Sequence, residues 1–332
     1  MPANVQKHSV GEELAAAIRQ GVPRRPGVYL FQDETGKTIY IGKSINLRQR
    51  MLTYFTGYPA RIERHVGQMT LGIRAFDYLE TDTELLALLL EDALSKRELP
   101  PYNIRQLKFE QYRYLVLSDD RYPTCRIGDR EEASSGTVFG PFGDVYFATA
   151  VLEIVHRHFL LRSCVDPNPF RRSLNFELGL CSGPCWNGTS VSDYGFIVSR
   201  VKAFLSGRDD WIAGKLQASI SSSSAALNYE KAAKLKTELE FCKAFCARQR
   251  FIHRFRIGRL TVRELGDRGA SYEFAQGNLV SVRPLDRKSG RRGVGGRELV
   301  PDLADPRKML DRANLIYSWL GRDRDNREHG FV

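Results

Sequence analysis

Apolar and aromatic positions near the start of the chain gather in short runs separated by turn residues. Gly27 to Phe31 and Thr38 to Ile41 are two such runs, and Asp33-Glu34-Thr35-Gly36 between them has turn character, so the pair reads as a β-hairpin. From Asn46 to Tyr54 the period changes: Leu47, Met51 and Tyr54 recur at helical spacing, with Arg48 and Arg50 on other faces. A strand is expected around Arg74 to Tyr78. Thr83 then offers an N-cap for a helix reaching about Glu98, where Pro100-Pro101 stops it. Strand, strand, helix, strand, helix describes a small α/β unit.

Further along, Tyr112 to Leu117 and Thr124 to Ile127 read as strands, and Asp144 to Phe159 as a helix after the turn at Gly140-Pro141. A cysteine-bearing loop follows. Asp193 to Leu205 reads as a helix closed by Gly207, Asp209 to Ile220 as a second, and Ser221 to Ser224 as a break before a third from about Ala225 to Arg248. In that third helix Ala232, Leu235, Leu239, Cys242 and Cys246 form one apolar seam that must face a partner helix, in this chain or another. After Arg250 the pattern predicts strands at Leu260 to Leu265 and Leu279 to Pro284. A Gly- and Arg-rich loop, Arg287 to Arg297, and a helix from the Asp305-Pro306 cap to about Leu320 complete the reading.

The 332 residues are enough for two or three domains, and 42% hydrophobic with 27% charged residues is an ordinary globular balance. Fifty Lys and Arg against 39 Asp and Glu leave +11, a surplus that most often meets a polyanion, with nucleic acid first among partners. Met1 to Gln20 lacks the apolar centre of a signal peptide, and the longest apolar run, Leu85 to Leu90, is too short to span a bilayer. A cytoplasmic protein with no membrane attachment is expected, and a monomer. In such a compartment the cysteines at 125, 164, 181, 185, 242 and 246 read as metal ligands or buried packing rather than disulfides.

Gly36-Lys37-Thr38 and Gly42-Lys43-Ser44 each resemble the end of a phosphate-binding loop, but the position five before each lysine's glycine holds Phe31 and Lys37 instead of Gly, which excludes the motif. A different constellation is more specific: Gly27-Val28-Tyr29, then Tyr40-Ile41-Gly42-Lys43, then Asn46, Arg50, Tyr54, Glu91 and Asn103 in that order. This set resembles the GIY-YIG nuclease family, with Val28 departing from the first triplet. The resemblance implies phosphodiester hydrolysis, which needs a base for the attacking water, a cation for the charge growing on the phosphate oxygens and help for the departing 3′ oxygen. It implies Tyr29, Tyr40, Gly42, Lys43, Arg50, Tyr54 and Asn103 as the catalytic set and Glu91 as the ligand of Mg²⁺ or Mn²⁺. Tyr40 is the implied base. A phenol of pKa about 10 is ionised at only about one part in a thousand at neutral pH, so it needs Lys43, Arg50 or the metal ion close by. Asn46 and Arg48 are expected to touch DNA phosphates, as are Arg287, Arg291, Arg292 and Arg297 of the basic loop.

The resemblance extends past the nuclease unit. Tyr122-Pro123, Phe139-Gly140-Pro141, Leu160-Leu161-Arg162-Ser163-Cys164 and Leu178-Gly179-Leu180-Cys181-Ser182-Gly183-Pro184-Cys185 follow the order seen in UvrC excinuclease subunits. In that family four cysteines are linked to an iron–sulfur cluster. Here Cys164, Cys181 and Cys185 are present and Ser173 stands at the remaining position, so a cluster and a buried metal-free set are both open. Leu227 to Leu235 is similar to the helical-hairpin motif through which UvrC contacts UvrB, with Lys236-Thr237 in place of the family's Arg-Asp. Only 82 residues follow Arg250, too few for the family's second nuclease and its DNA-binding repeats, so the chain resembles the truncated UvrC homologues called Cho, which cut 3′ of damage.

The expected architecture is therefore an N-terminal extension (1–21), a GIY-YIG α/β domain with a mixed or antiparallel sheet flanked by helices (22–107), a cysteine-bearing α+β region (108–207), a UvrB-binding-like helical hairpin (208–250) and a C-terminal region of unassigned role (251–332). The implied function is incision of damaged double-stranded DNA beside a lesion, with a UvrB-like helicase as partner. A stand-alone nuclease of homing or restriction type and a non-catalytic DNA-binding adaptor are the competing readings.

Overall fold

The computed structural model describes residues 3–56, 64–104, 111–129, 136–164, 172–186, 188–208, 210–285, 294–295, 305–322 and 327–331. They form two compact units. One comprises residues 1–109 together with 255–332, and the other residues 110–254.

The first unit begins with a helix, α1 (Ala3–Gly21). The polarity of this stretch hides it in the sequence, yet Ala15, Ile18 and Val22 are buried, and full burial of an Ile-sized side chain contributes about 2 kcal/mol. Next come β1 (Gly27–Gln32) and β2 (Thr38–Ser44), the expected hairpin. Its turn is held by Asp33, whose Oδ1 accepts hydrogen bonds from the Thr35 amide and hydroxyl and the Lys37 amide, while Gly36 takes φ +78°. Helix α2 (Leu47–Thr56) matches its predicted register, and α3 (Arg64–Gly72) was not foreseen. Strand β3 (Ala75–Glu80) pairs with β1, giving an antiparallel sheet in the order β2-β1-β3. Helix α4 (Glu84–Glu98) starts at the predicted Thr83, whose side chain accepts from the Leu86 amide, and ends where Leu99 turns left-handed before the two prolines. Its Leu85, Leu88 and Leu89 are buried.

The second unit opens with β4 (Arg113–Ser118), β5 (Cys125–Gly128) and β6 (Gly136–Phe142), an antiparallel sheet in the order β5-β4-β6. The sequence pattern marks only a turn at Gly140-Pro141 within β6. Helix α5 (Val145–Phe159), capped by Asp144, covers this sheet, and the short α6 (Leu174–Glu177) and α7 (Val191–Leu205) follow. Then α8 (Trp211–Ala225) runs straight through Ser221 to Ser224, which corrects the expected break. Serine is only a moderately poor helix former, and Ser219 and Ser221 return their hydroxyls to the carbonyls one turn back. The chain reverses instead at Leu227, which takes φ +58° and is 73% exposed. Helix α9 (Tyr229–Ile257) continues well past Arg248. Its apolar seam finds its partner within this chain: Leu239, Cys242, Phe245 and Cys246 share one core with Phe204, Ile212 and Leu216. Cys125, Cys242 and Cys246 are thus packing residues, and burial pushes the Cys125 and Cys242 thiols up to about 12.

The chain then returns to the first unit. Strands β7 (Arg259–Glu264), β8 (Ala270–Ala275), β9 (Asn278–Pro284) and β10 (Val294–Gly295) precede α10 (Pro306–Arg322) and β11 (Arg327–Phe331), in an antiparallel sheet of order β10-β9-β8-β7-β11. β8 and β11 escaped the sequence pattern. Arg287, Arg291, Arg292 and Arg297 lie outside the described residues. Among the described residues no helix is long and apolar enough to cross a membrane.

Because α8 is continuous through the serines, Ser222→Pro should remove an interior hydrogen bond and cost about 3 kcal/mol or more, read as a shift in urea midpoint. A loop at this place would tolerate the change within about 0.5 kcal/mol.

Candidate active site

Two glycines let the hairpin carry its aromatic residues at close quarters. A Cβ at Gly27 would lie 2.3 Å from the Leu79 carbonyl oxygen, and one at Gly42 would lie 2.4 Å from the Tyr29 hydroxyl. The phenol of Tyr29 therefore lies over the bare backbone of position 42, directly across the β1–β2 ladder, where the two residues are register partners.

Three tyrosines converge there. Tyr29 and Tyr40 come from the hairpin and Tyr54 from α2, with ring centroids 6.0 to 6.2 Å apart in each pair. Tyr29 and Tyr54 hydroxyls are 2.8 Å apart, and the Tyr54 ring also packs against Tyr40. Phe31 packs beneath all three. Arg50, one turn before Tyr54 on α2, lays its guanidinium 5.2 Å from the Tyr54 ring centroid, and its charge acts on Tyr29 and Tyr40. Burial, then Tyr54 and Tyr40, hold the Tyr29 phenol well above its ordinary range. Burial, then Tyr54 and Glu91, do the same for Tyr40; Arg50 opposes the shift at both. In the free protein these phenols are proton carriers at neutral pH.

Glu91 reaches the same place from α4. Its Oε1 accepts the Lys43 amide at 3.2 Å, and its charge acts on Tyr40. The Lys43 side chain does not join Arg50 beside the phenols: Nζ lies 3.1 Å from Glu84 Oε1. Glu84 was not foreseen, although it stands seven residues before Glu91 and therefore on the same helix face. Asn103 is buried, and its carboxamide engages the backbone of β2. Its Oδ1 accepts the Ile41 amide at 2.8 Å and its Nδ2 donates to the Ile41 carbonyl at 2.7 Å, so it holds the middle residue of the Tyr40-Ile41-Gly42 triplet. Asn46 caps α2, accepting the Gln49 amide at 3.1 Å, and Arg48 donates to the Val22 carbonyl at 2.6 Å. Both thus have structural duties within this unit.

In the second unit Cys181 feels Cys164 and Cys185, and its Sγ accepts the Gly183 amide at 3.3 Å. Ser173 caps α6, its Oγ accepting the Phe176 amide. Among the described residues no group of three or more His, Cys, Asp and Glu is placed to hold a metal ion. The three cysteines therefore give a cluster no support beyond their sequence order. At the tyrosine site a lone carboxylate with phenol oxygens nearby is a hard-oxygen set, which fits Mg²⁺ or Mn²⁺ because such ions keep most of their waters and take further ligands from a phosphate.

Residues 25–104 match the family described as the UvrC-like GIY-YIG domain, and residues 112–204 match that described as the UvrC/Cho excinuclease middle domain, adjacent and in that order. The chain belongs to the UvrC family. Its N-terminal part is accordingly a UvrC-type GIY-YIG endonuclease domain. This UvrC-family chain is 32% identical over 224 residues to UvrABC system protein C of Thermoanaerobacter sp. (strain X514), covering 66% of the chain and 36% of the relative. It is 34% identical over 232 residues to the protein of the same name from Nitratidesulfovibrio vulgaris, covering 69% and 34%. The chain thus spans little more than a third of the length of these curated relatives. Among solved structures, the GIY-YIG N-terminal endonuclease domain of UvrC from Thermotoga maritima, bound to magnesium as its catalytic divalent cation, is 29% identical, with a TM-score of 0.25 over 28% of this chain and 97% of that one.

If Asn103 holds the edge of β2, Asn103→Leu should leave the Ile41 amide and carbonyl unmet and cost about 2–5 kcal/mol in chemical denaturation. An unchanged midpoint would show that the two hydrogen bonds contribute nothing net.

Proposed function

We propose that this chain is a structure-selective DNA endonuclease of nucleotide excision repair that cuts 3′ of a lesion, acting on a complex of damaged DNA with a UvrB-like helicase. The observation that carries this reading is the convergence of Tyr29, Tyr40, Tyr54, Arg50 and Glu91 around the bare backbone of Gly42. Among the described residues Glu91 is the carboxylate beside the phenols, so it is the residue to hold Mg²⁺ or Mn²⁺. When bound, such an ion supplies positive charge to the phosphate oxygens and to the departing 3′ oxygen.

The remaining chemistry belongs to the side chains. Water attacks phosphorus, the P–O3′ bond breaks, and the proton leaving the water passes to the Tyr40 oxygen. That oxygen must first be ionised, and here the electrostatics have a definite sign. Burial, Tyr54 and the Glu91 charge keep the phenol neutral, so neutralising Glu91 and bringing Arg50 closer both favour the phenolate. Activation of the base is thereby tied to occupancy of the carboxylate. Arg50, a guanidinium that stays charged at any working pH, faces the growing charge on the non-bridging oxygens. Lys43 is a positioning residue for Glu91 through its amide and serves β2 through its pair with Glu84.

The test is a duplex carrying one bulky lesion, incubated with the chain and a divalent ion, with and without UvrA and UvrB proteins, and the nick mapped. A single cut 3′ of the lesion that requires the loaded complex supports the reading. Cutting of undamaged DNA by the chain alone would favour a stand-alone nuclease, and binding without cutting an adaptor.

Glu91→Gln should slow the cut at least about a hundredfold while DNA binding survives, because size is kept and the anion is lost. Near-parental cutting in limiting Mg²⁺ would remove Glu91 from the mechanism. The parental rate should also rise by about tenfold per pH unit between pH 6 and 8, as expected for a base that is almost wholly protonated there. Tyr40→Phe should abolish this dependence together with the activity. A flat profile in the parental protein would displace Tyr40 as the base.

A further inference from the structure

The C-terminal segment 259–331 makes a series of polar contacts with one helix, α4, and those contacts bracket Glu91. At the N-terminal end of α4 the cap residue Thr83 is itself hydrogen-bonded to the Tyr272 hydroxyl of β8. The next two amides, Glu84 and Leu85, both donate to the carboxylate of Glu264 on β7, at 3.2 Å each. A carboxylate from a distant strand thus meets the open N–H groups and the positive end of the helix dipole. The Glu84 side chain sits between two cations. Its Oε1 meets Lys43 Nζ from β2 at 3.1 Å, and its Oε2 lies 3.4 Å from Arg327 Nη2 on β11. Arg327 is itself held, with its guanidinium 3.9 Å from the Trp319 ring centroid and a hydrogen bond to the Trp319 carbonyl.

The other side of Glu91 is gripped as firmly. Its neighbour Asp92 is ion-paired with Lys96, and Lys96 is also 3.2 Å from Asp311 and donates to the Lys308 carbonyl at 3.1 Å, both on α10. Arg312, fully buried on the same helix, places Nε 3.9 Å from Asp92. A buried ionic network of this kind is weak evidence for stability, because desolvation offsets most of the attraction, but it fixes geometry strongly. Glu84 and Glu91 are two turns apart on one face, about 10.5 Å along the axis, and both hold Lys43, one by its side chain and the other by its amide.

We propose that the C-terminal sheet and α10 form a brace in cis that sets the catalytic helix, and that Arg327 is a positioning residue acting on Glu91 through Glu84. This rests on the assignment of Glu91 as the metal-holding carboxylate. With Arg327 in place, Glu84 is shared between β2 and β11, and α4 cannot slide or rotate without breaking contacts at both. Without it, Lys43 and Glu84 form an isolated pair, the first two turns of α4 loosen, and the Glu91 carboxylate loses its fixed distance from the phenols.

The experiment uses the full chain with Arg327→Met, which keeps the length of side chain over Trp319 and removes the charge, and Arg327→Lys, which restores the charge. Three quantities are measured at a temperature where all variants are folded: hydrogen exchange of the α4 amides, Mn²⁺ affinity by electron paramagnetic resonance, and kcat for nicking beside the DNA dissociation constant. Arg327→Met should exchange the α4 amides up to Glu91 at least tenfold faster, bind Mn²⁺ about tenfold more weakly, and lose kcat about tenfold at unchanged DNA affinity. Arg327→Lys should recover most of each. If α4 exchange in Arg327→Met equals the parental value, the brace is overturned whatever the other readouts show. It is overturned equally if Arg327→Lys fails to rescue, or if the midpoint of thermal unfolding falls while exchange, Mn²⁺ affinity and kcat at the working temperature do not. Failure of the underlying assignment looks different: Glu91→Gln would then bind Mn²⁺ and nick as the parental chain does, while the exchange readout still judges the brace.

Discussion

A buried carboxamide closes the open edge of the strand on which the site is built. β2 is an edge strand, paired on one side with β1, and on its other side Asn103 presents one donor and one acceptor to the backbone of Ile41, as a neighbouring strand would. The Tyr102 amide adds a bond to the Ile39 carbonyl. The alternation of a strand turns the residues flanking Ile41 to the opposite face, so the clamp that fixes Ile41 also fixes Tyr40 and Gly42. The phenol of Tyr29 can then rest on Gly42, Tyr54 can bridge the two hairpin tyrosines, and Arg50 and Glu91 have fixed partners. A loose β2 edge would blur all of these distances together.

The parts of this arrangement that were legible in the sequence are those whose signal is local. The hairpin, α2 and α4 announce themselves through turn chemistry, period and caps, and α4 begins and ends at its predicted residues because Thr83 and Pro100 are unambiguous punctuation. The family order picks out Tyr29, Tyr40, Arg50, Tyr54 and Glu91, and the fold brings these side chains to one place. Asn103 and Lys43 show where order is insufficient. Both belong to the motif, yet one is a backbone clamp and the other turns its ammonium to Glu84, and only the path of the chain between them decides that. Glu84 could have been noticed from its spacing to Glu91 alone, but a surface helix carries many such pairs, so spacing by itself has little discriminating power.

What stayed hidden has physical reasons. α1 has few large apolar residues and buries itself through Ala15 and Ile18, so its amphipathic signal is faint. The serine run suggested a break because serine favours caps and turns, whereas here Ile212 and Leu216 anchor α8 ahead of it and Ser223 is itself buried. β11 is Arg-Glu-His-Gly-Phe, held to β7 by a backbone ladder rather than by apolar alternation. The cysteines divide for a related reason. Cys125, Cys242 and Cys246 sit on regular elements whose period already marks them as core, while Cys164 and Cys181 lie in irregular chain and Cys185 in a single 3-10 turn, too short for any period to show.

The division of the chain has a bearing on how the molecule is made. Residues 110–254 form a unit of their own inserted into the middle of another, so the contacts that hold the head of α4 join residues 179 to 243 positions apart. On the ribosome, the hairpin, α2 and α4 emerge long before the strands that cap them, and the inserted unit has to be synthesised in between. Domains fold largely as they appear, and contacts between distant positions form last. Under the brace proposed above, a nascent or truncated chain displays the tyrosine cluster beside an unsecured α4, and the order of translation delays completion of the site until the inserted unit has been made.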